Sequence, residues 1–98
     1  MEKIVKYFLE NYNFQLLDLQ NAINSKDMHQ IKMFSHKIKS SVGNIGAKKA
    51  VEYAAIIEES DESISIDEIV NTFLLLEEQL NEIKDVFINT NWKKNLLN

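Results

Sequence analysis

The chain has 98 residues, which suits one domain with a single hydrophobic core, and it has no cysteine, which excludes disulfides and thiolate metal sites. The absence of proline and the presence of only two glycines favour helices over a β-rich fold. The net charge of −4 conceals a segment, residues 28–51, that holds five lysines and no acid. The acidic remainder disfavours nucleic acid, whereas the basic segment suits a local phosphate or an acidic protein surface, or is simply a solvated lysine face.

The first half of the chain predicts two helices. One runs from about residue 2 to 24, with apolar residues at steps of three and four. Asn11 and Asn13 weaken it locally, which leaves open a short extra N-terminal helix. The second runs from about residue 28 to 42 or 43. Asp27 can cap its start, and Gly46 can take the left-handed conformation that ends a helix.

The second half predicts two more helices and a weaker tail. The third helix runs from about residue 47 to 59 and has alanines on its inner face. The fourth begins at a capping box of Ser65 and Glu68 and follows a seven-residue apolar repeat from Ile66 to Phe87. The tail, residues 89–98, has a weaker pattern that leaves a frayed end open, although Trp92, Leu96 and Leu97 could cover one end of the core.

Four amphipathic helices with short polar loops predict an all-α fold, an antiparallel up-down four-helix bundle that occupies residues 1–98 as one domain. The chain shows no signal-peptide layout and no apolar run long enough to cross a bilayer. We therefore expect a soluble cytoplasmic domain with no membrane partner.

His36 is the informative residue of the second helix. At about 100° per residue it falls roughly opposite the apolar face, and so do four neighbours on the same outer strip. Lys39 falls at the shoulder of this strip, and Met33 points outward one turn before the histidine. The four neighbours are His29, Lys32, Ser40 and Gly43.

This strip suits phosphoryl chemistry. An exposed imidazole is largely an unprotonated nucleophile near neutral pH, and phosphoryl transfer chiefly needs alignment and positive charge. Lys39 and Lys32 are within reach of a phosphate on His36, and the small residue Ser40 leaves room beside the ring. A surface histidine without a role remains the plainer reading. A metal site of His29 and His36 is disfavoured, because they lie about 10.5 Å apart along the helix axis.

The segment from His36 to Ala47, HKIKSSVGNIGA, resembles the signature of histidine-containing phosphotransfer (HPt) domains. That signature has a histidine, x-aliphatic-Lys-Gly-Ser, a short variable stretch and Asn-aliphatic-Gly-Ala. The resemblance covers residues 35–58 and extends to an acid at Glu58. It departs from the family at Ser40, where glycine is usual, and this puts the partner fit in doubt.

The resemblance implies that His36 is the phosphoacceptor. Lys39, Ser40 and Lys32 would then lie next to the phosphate. A partner would dock on a further set of residues of the same helix, which are Met33, Lys37, Gly43 and His29.

The resemblance also implies a phosphorelay. His36 would accept a phosphoryl group from a receiver-domain aspartyl phosphate and pass it to another receiver aspartate. The chain would be a phosphocarrier, not an enzyme with an ATP site. It would bind no cofactor, because Mg²⁺ is expected on the partner receiver. The expected partners are response-regulator receivers, a hybrid sensor histidine kinase, or both.

Two alternatives stay open beside a monomeric phosphocarrier. One is an HPt-like adaptor that docks receivers without being phosphorylated. The other is a helical dimerisation module, which would need a second apolar stripe. The residues left over for such a stripe are Phe14, Leu17, Leu75 and Ile88.

Overall fold

The computed structural model describes residues 2–92 and confirms an all-α bundle. Its helices are α1 (Glu2–Asn24), α2 (Met28–Asn44), α3 (Lys48–Glu59) and α4 (Ile66–Val86), and a π-helical segment, Phe87–Trp92, follows α4. Each helix packs against the helix that follows it, and α1 also packs against α4. The four helices therefore close around one core.

The starts of α2 and α4 are capped by the side chains that the sequence predicts. Asp27 accepts a hydrogen bond from the backbone N–H of Gln30 at 3.1 Å. Ser65 accepts one from the backbone N–H of Glu68 at 3.2 Å. Each bond satisfies an N–H group that has no partner within its helix, so the caps fix where these helices begin.

The turn between α2 and α3 depends on the left-handed conformation of Gly46, whose φ is +73°. The N–H of Gly46 donates to the carbonyl of Gly43, and the N–H of Ala47 donates to the carbonyl of Val42, both at 3.1 Å. This pair of bonds is the Schellman motif, which ends a helix and reverses the chain. The end of α1 has the same pattern, but there Lys26 has the positive φ of 56°.

The core is built from the apolar stripes of all four helices. Leu19, Ile38, Ile57 and Leu76 are wholly inaccessible to solvent, one from each helix in chain order. Ser35 is a buried polar residue of α2, and its hydroxyl donates to the carbonyl of Ile31 at 2.6 Å. The polar group is thereby satisfied within its own helix, so it does not interrupt the apolar packing.

The structure corrects several details of the sequence prediction. Within residues 2–92 no separate short N-terminal helix precedes α1, because α1 is continuous through Asn11, whose side-chain amide donates to the carbonyl of Tyr7 at 2.8 Å. Val5, Phe8 and Leu16 are buried on one face, so core packing holds both halves of α1 in one helix. The second helix extends to Asn44, and the third begins at Lys48.

The tail prediction is only partly covered. Helical backbone continues past residue 89 to Trp92, while the side chain of Trp92 and all of Leu96 and Leu97 lie outside the part that the structure describes. The leftover apolar side chains Phe14, Leu17, Leu75 and Ile88 are exposed, and their use in a dimer stays a prediction. None of the helices in residues 2–92 combines the length and the apolar character that crossing a membrane requires.

Candidate functional site

His36 lies on the outer face of α2, as the helical spacing predicts, and 59% of its side chain is exposed. It stands eight residues before the end of α2, and Glu58 stands ten residues after the start of α3. At about 1.5 Å per residue, both are therefore a similar height above the Gly46 turn. The antiparallel pairing of the two helices brings their side chains together.

The carboxylate of Glu58 joins His36 to Lys39. Its Oε2 atom lies 2.7 Å from Nδ1 of His36, and its Oε1 atom lies 2.5 Å from Nζ of Lys39. Oε1 is buried, and its contact with the ammonium is a close ion pair. Each carboxylate oxygen is thus committed to a different group of α2.

The contact with the Lys39 ammonium is the main cause that lowers the pKa of Glu58 below its ordinary value of 4.5. Burial opposes this by raising the pKa, and the hydrogen bond with His36 lowers it further. Since the lowering causes prevail, Glu58 is ionised at neutral pH. Its two partners therefore face a carboxylate and not a carboxylic acid.

An ionised carboxylate can only accept hydrogen bonds, so Nδ1 of His36 must be the donor in this pair. In the neutral ring the proton is then on Nδ1, and Nε2 carries the free lone pair. The two nitrogens of an imidazole point in diverging directions. The ring therefore turns its nucleophilic nitrogen away from α3.

An open groove lies between α1 and α2 and has His36 in its wall. Two sequence-predicted residues, Lys37 and Ser40, also line it, and the other lining residues are Tyr7, Gln15, Ser41 and Asn44. Tyr7 is 56% exposed, which places an aromatic surface at the groove. The groove thus combines an imidazole, small polar side chains and an aromatic ring.

The other sequence-predicted residues lie on α2 near the histidine, and within residues 2–92 the hydrogen bond and ion pair of His36 are made with Glu58 and not with them. Met33 is 40% exposed, and His29, Lys32 and Gly43 are exposed on α2. In the loop after α3, hydrogen bonds from the side chain and backbone of Ser63 are the main cause of the lowered pKa of Asp61, and the charge of Lys32 lowers this pKa least. Lys37 places its ammonium over the ring of Phe34, 5.5 Å from the ring centre. Their predicted roles in phosphate contact and docking stay predictions.

Glu58 belongs to the site in the structure, but the sequence prediction did not include it among the site residues. The resemblance reached this acid, but only as the last position of a motif. Its similar height to His36 above the Gly46 turn could have identified it, because an antiparallel hairpin pairs residues at similar distances from its turn. The tertiary pairing of α2 with α3 makes the contact explicit.

The family model of the Hpt domain matches residues 3–86, which include all four helices almost completely and the whole of the site. No curated protein and no solved structure matches the chain. The family model covers well over half of the sequence, and the exposed histidine lies inside the matched region. The chain belongs to the Hpt domain family.

Proposed function

We propose that the chain is a phosphorelay carrier that holds a phosphoryl group on Nε2 of His36. The observation that carries the proposal is the pairing of an exposed imidazole with Glu58, which engages Nδ1 and leaves Nε2 free. Membership of the Hpt family supports involvement in phosphorelay signalling. The donor and the acceptor would both be aspartates of receiver domains.

The transfer step needs only the imidazole of His36 and the aspartyl phosphate of the receiver. The Nε2 lone pair attacks phosphorus, a P–N bond forms, and the P–O bond to the receiver aspartate breaks. The aspartate carboxylate leaves with the electron pair. The ring keeps its Nδ1 proton and becomes positively charged, so the Glu58 carboxylate 2.7 Å away stabilises the product. Transfer to the next receiver is the reverse of this step.

The surroundings of His36 suit an anionic group and a protein partner. Lys32 and Lys37 give this part of α2 a positive field, which favours the phosphoryl oxygens. The exposed Met33 offers an adaptable apolar contact. A receiver would supply its own acidic pocket and Mg²⁺, so this chain would need no cofactor and would act as a monomeric carrier without an ATP site.

The test is phosphorylation by a receiver domain that has been charged with acetyl phosphate. We expect an acid-labile, base-stable phosphate on the parent chain and none on His36→Gln. The matched control is His29→Gln, which removes the other of the two histidines. It should still carry histidine phosphate, even if docking is slower.

Two outcomes would contradict the proposal. Label that persists in His36→Gln would place the phosphate elsewhere. Tight binding to charged receivers without any label on the parent would favour the adaptor, which docks receivers and carries no phosphate. Circular dichroism of each variant would show that the bundle is intact, so that lost label reports on chemistry.

A further inference from the structure

Lys39 is committed to Glu58 in this structure. Its ammonium lies 2.5 Å from Oε1, and that oxygen is buried. The other oxygen, Oε2, is engaged by His36. If Lys39 left, a buried carboxylate oxygen would lose the charge that compensates it, and such a loss is costly.

The position of Nε2 also separates a phosphoryl group on His36 from the Lys39–Glu58 ion pair. Nδ1 of His36 faces Glu58, and the Lys39 ammonium is on the far oxygen of that carboxylate. Nε2 therefore turns away from the ion pair. His36 also lines the groove between α1 and α2, where Ser40 and Lys37 lie. Neither Lys39 nor Glu58 lines this groove, so it offers a phosphoryl group on Nε2 surroundings that do not include the ion pair.

We propose that Lys39 is a positioning residue that serves phosphotransfer through Glu58 and does not bind the phosphoryl group. Lys39 holds the Glu58 carboxylate in place, and Glu58 holds the proton on Nδ1 of His36. The inference rests on the proposed function for its consequence in transfer. Its structural part concerns the unphosphorylated chain and stands or fails separately. It assigns Lys39 a different task from the phosphate contact that the family resemblance implies.

The first experiment is nuclear magnetic resonance of the unphosphorylated protein. Nitrogen shifts of the His36 ring report the tautomer, and carboxyl carbon shifts report the titration of Glu58. In Lys39→Met we expect the pKa of Glu58 to rise from its lowered value and the share of the Nδ1–H tautomer to fall. Lys39→Arg should restore both, since arginine also pairs with a carboxylate.

The matched control is Lys32→Met, which removes an exposed lysine of the same helix outside the ion pair. It should leave the His36 tautomer and the Glu58 titration as in the parent. If Lys39→Met also leaves both unchanged, the proposal is wrong. This experiment needs no receiver, so it decides the link between Lys39 and Glu58 even if the chain proves not to be a phosphocarrier.

The second experiment compares the rate of phosphorylation by a receiver in four proteins. These are the parent, Lys39→Met, Glu58→Gln and the double variant. In the parent background, Lys39→Met should slow transfer about tenfold, within the range of coupling between contacting residues. In the Glu58→Gln background it should change the rate by less than about twofold, because no carboxylate is left to hold. An equal loss in both backgrounds would show that Lys39 contacts the phosphoryl group directly.

Discussion

The two glycines of the chain allow a matched test of the turn that brings His36 to Glu58. Gly46 has a φ of +73°, and a Cβ added there would meet nothing within 4 Å. The cost of Gly46→Ala is therefore backbone strain without a clash. The left-handed conformation costs a residue with a Cβ about 1–2 kcal/mol. A stiffer unfolded chain offsets about 0.4–1 kcal/mol of this.

We therefore expect Gly46→Ala to lower the free energy of unfolding by about 1 kcal/mol. For a domain of this size that is a fall in Tm of about 4–8 °C. Gly43→Ala is the control, because it makes the same chemical change in the last turn of α2. Its added Cβ would lie 3.9 Å from Cγ2 of Val51, an ordinary contact, and alanine favours a helix over glycine by up to about 1 kcal/mol.

The assay is urea unfolding of the parent and both variants, followed by circular dichroism. Gly43→Ala should be as stable as the parent or more stable, so the two variants should differ by at least about 1 kcal/mol. Gly46→Asn should lie between Gly46→Ala and the parent, since asparagine tolerates the left-handed region. Equal stability of the two alanine variants would refute the reasoning that the turn requires glycine at residue 46.

Three further predictions follow from single side chains. Lys26→Gly should raise the free energy of unfolding by up to about 1 kcal/mol in urea unfolding, because Lys26 has a φ of 56°; lower stability would contradict this. Glu58→Gln should be less stable than the parent above pH 4.5, because a lowered pKa means that the folded state favours the ionised carboxylate. Since the folded pKa of Glu58 is lowered, this difference in stability should shrink as the pH falls from 4.5 through the folded pKa. Thermal unfolding at several pH values measures the difference, and a difference that stays constant with pH would contradict this prediction. Ser40→Gly should lower the free energy of unfolding by about 0.5 kcal/mol, because glycine at this exposed position of α2 favours a helix less than serine does. It should also speed phosphorylation by a receiver, since it leaves more room beside the His36 ring, and slower transfer would show that the Ser40 hydroxyl stabilises the phosphoryl group.

The sequence could predict most of the fold because its signals are local. The seven-residue repeat from Ile66 to Phe87 identifies α4, and the capping residues Asp27 and Ser65 mark where two helices begin. These signals act over one or two helical turns, so they need no knowledge of tertiary contacts. The suggested break near Asn11 was wrong for the same reason. Local propensity disfavours asparagine in a helix, but packing of the α1 face against the core outweighs it.

The outer position of His36 also follows from the sequence, because an apolar stripe fixes which face of a helix is exposed. The sequence by itself could not decide what Lys39 and Glu58 do. A lysine three residues after a histidine is within reach of the same phosphate, and helical spacing alone suggests that use. Only the packing of α2 against α3 places a carboxylate 2.5 Å from that lysine and 2.7 Å from the imidazole. Side chains about twenty residues apart in the sequence meet there because a Schellman turn at Gly46 reverses the chain, so the chemistry of the histidine is decided by tertiary structure.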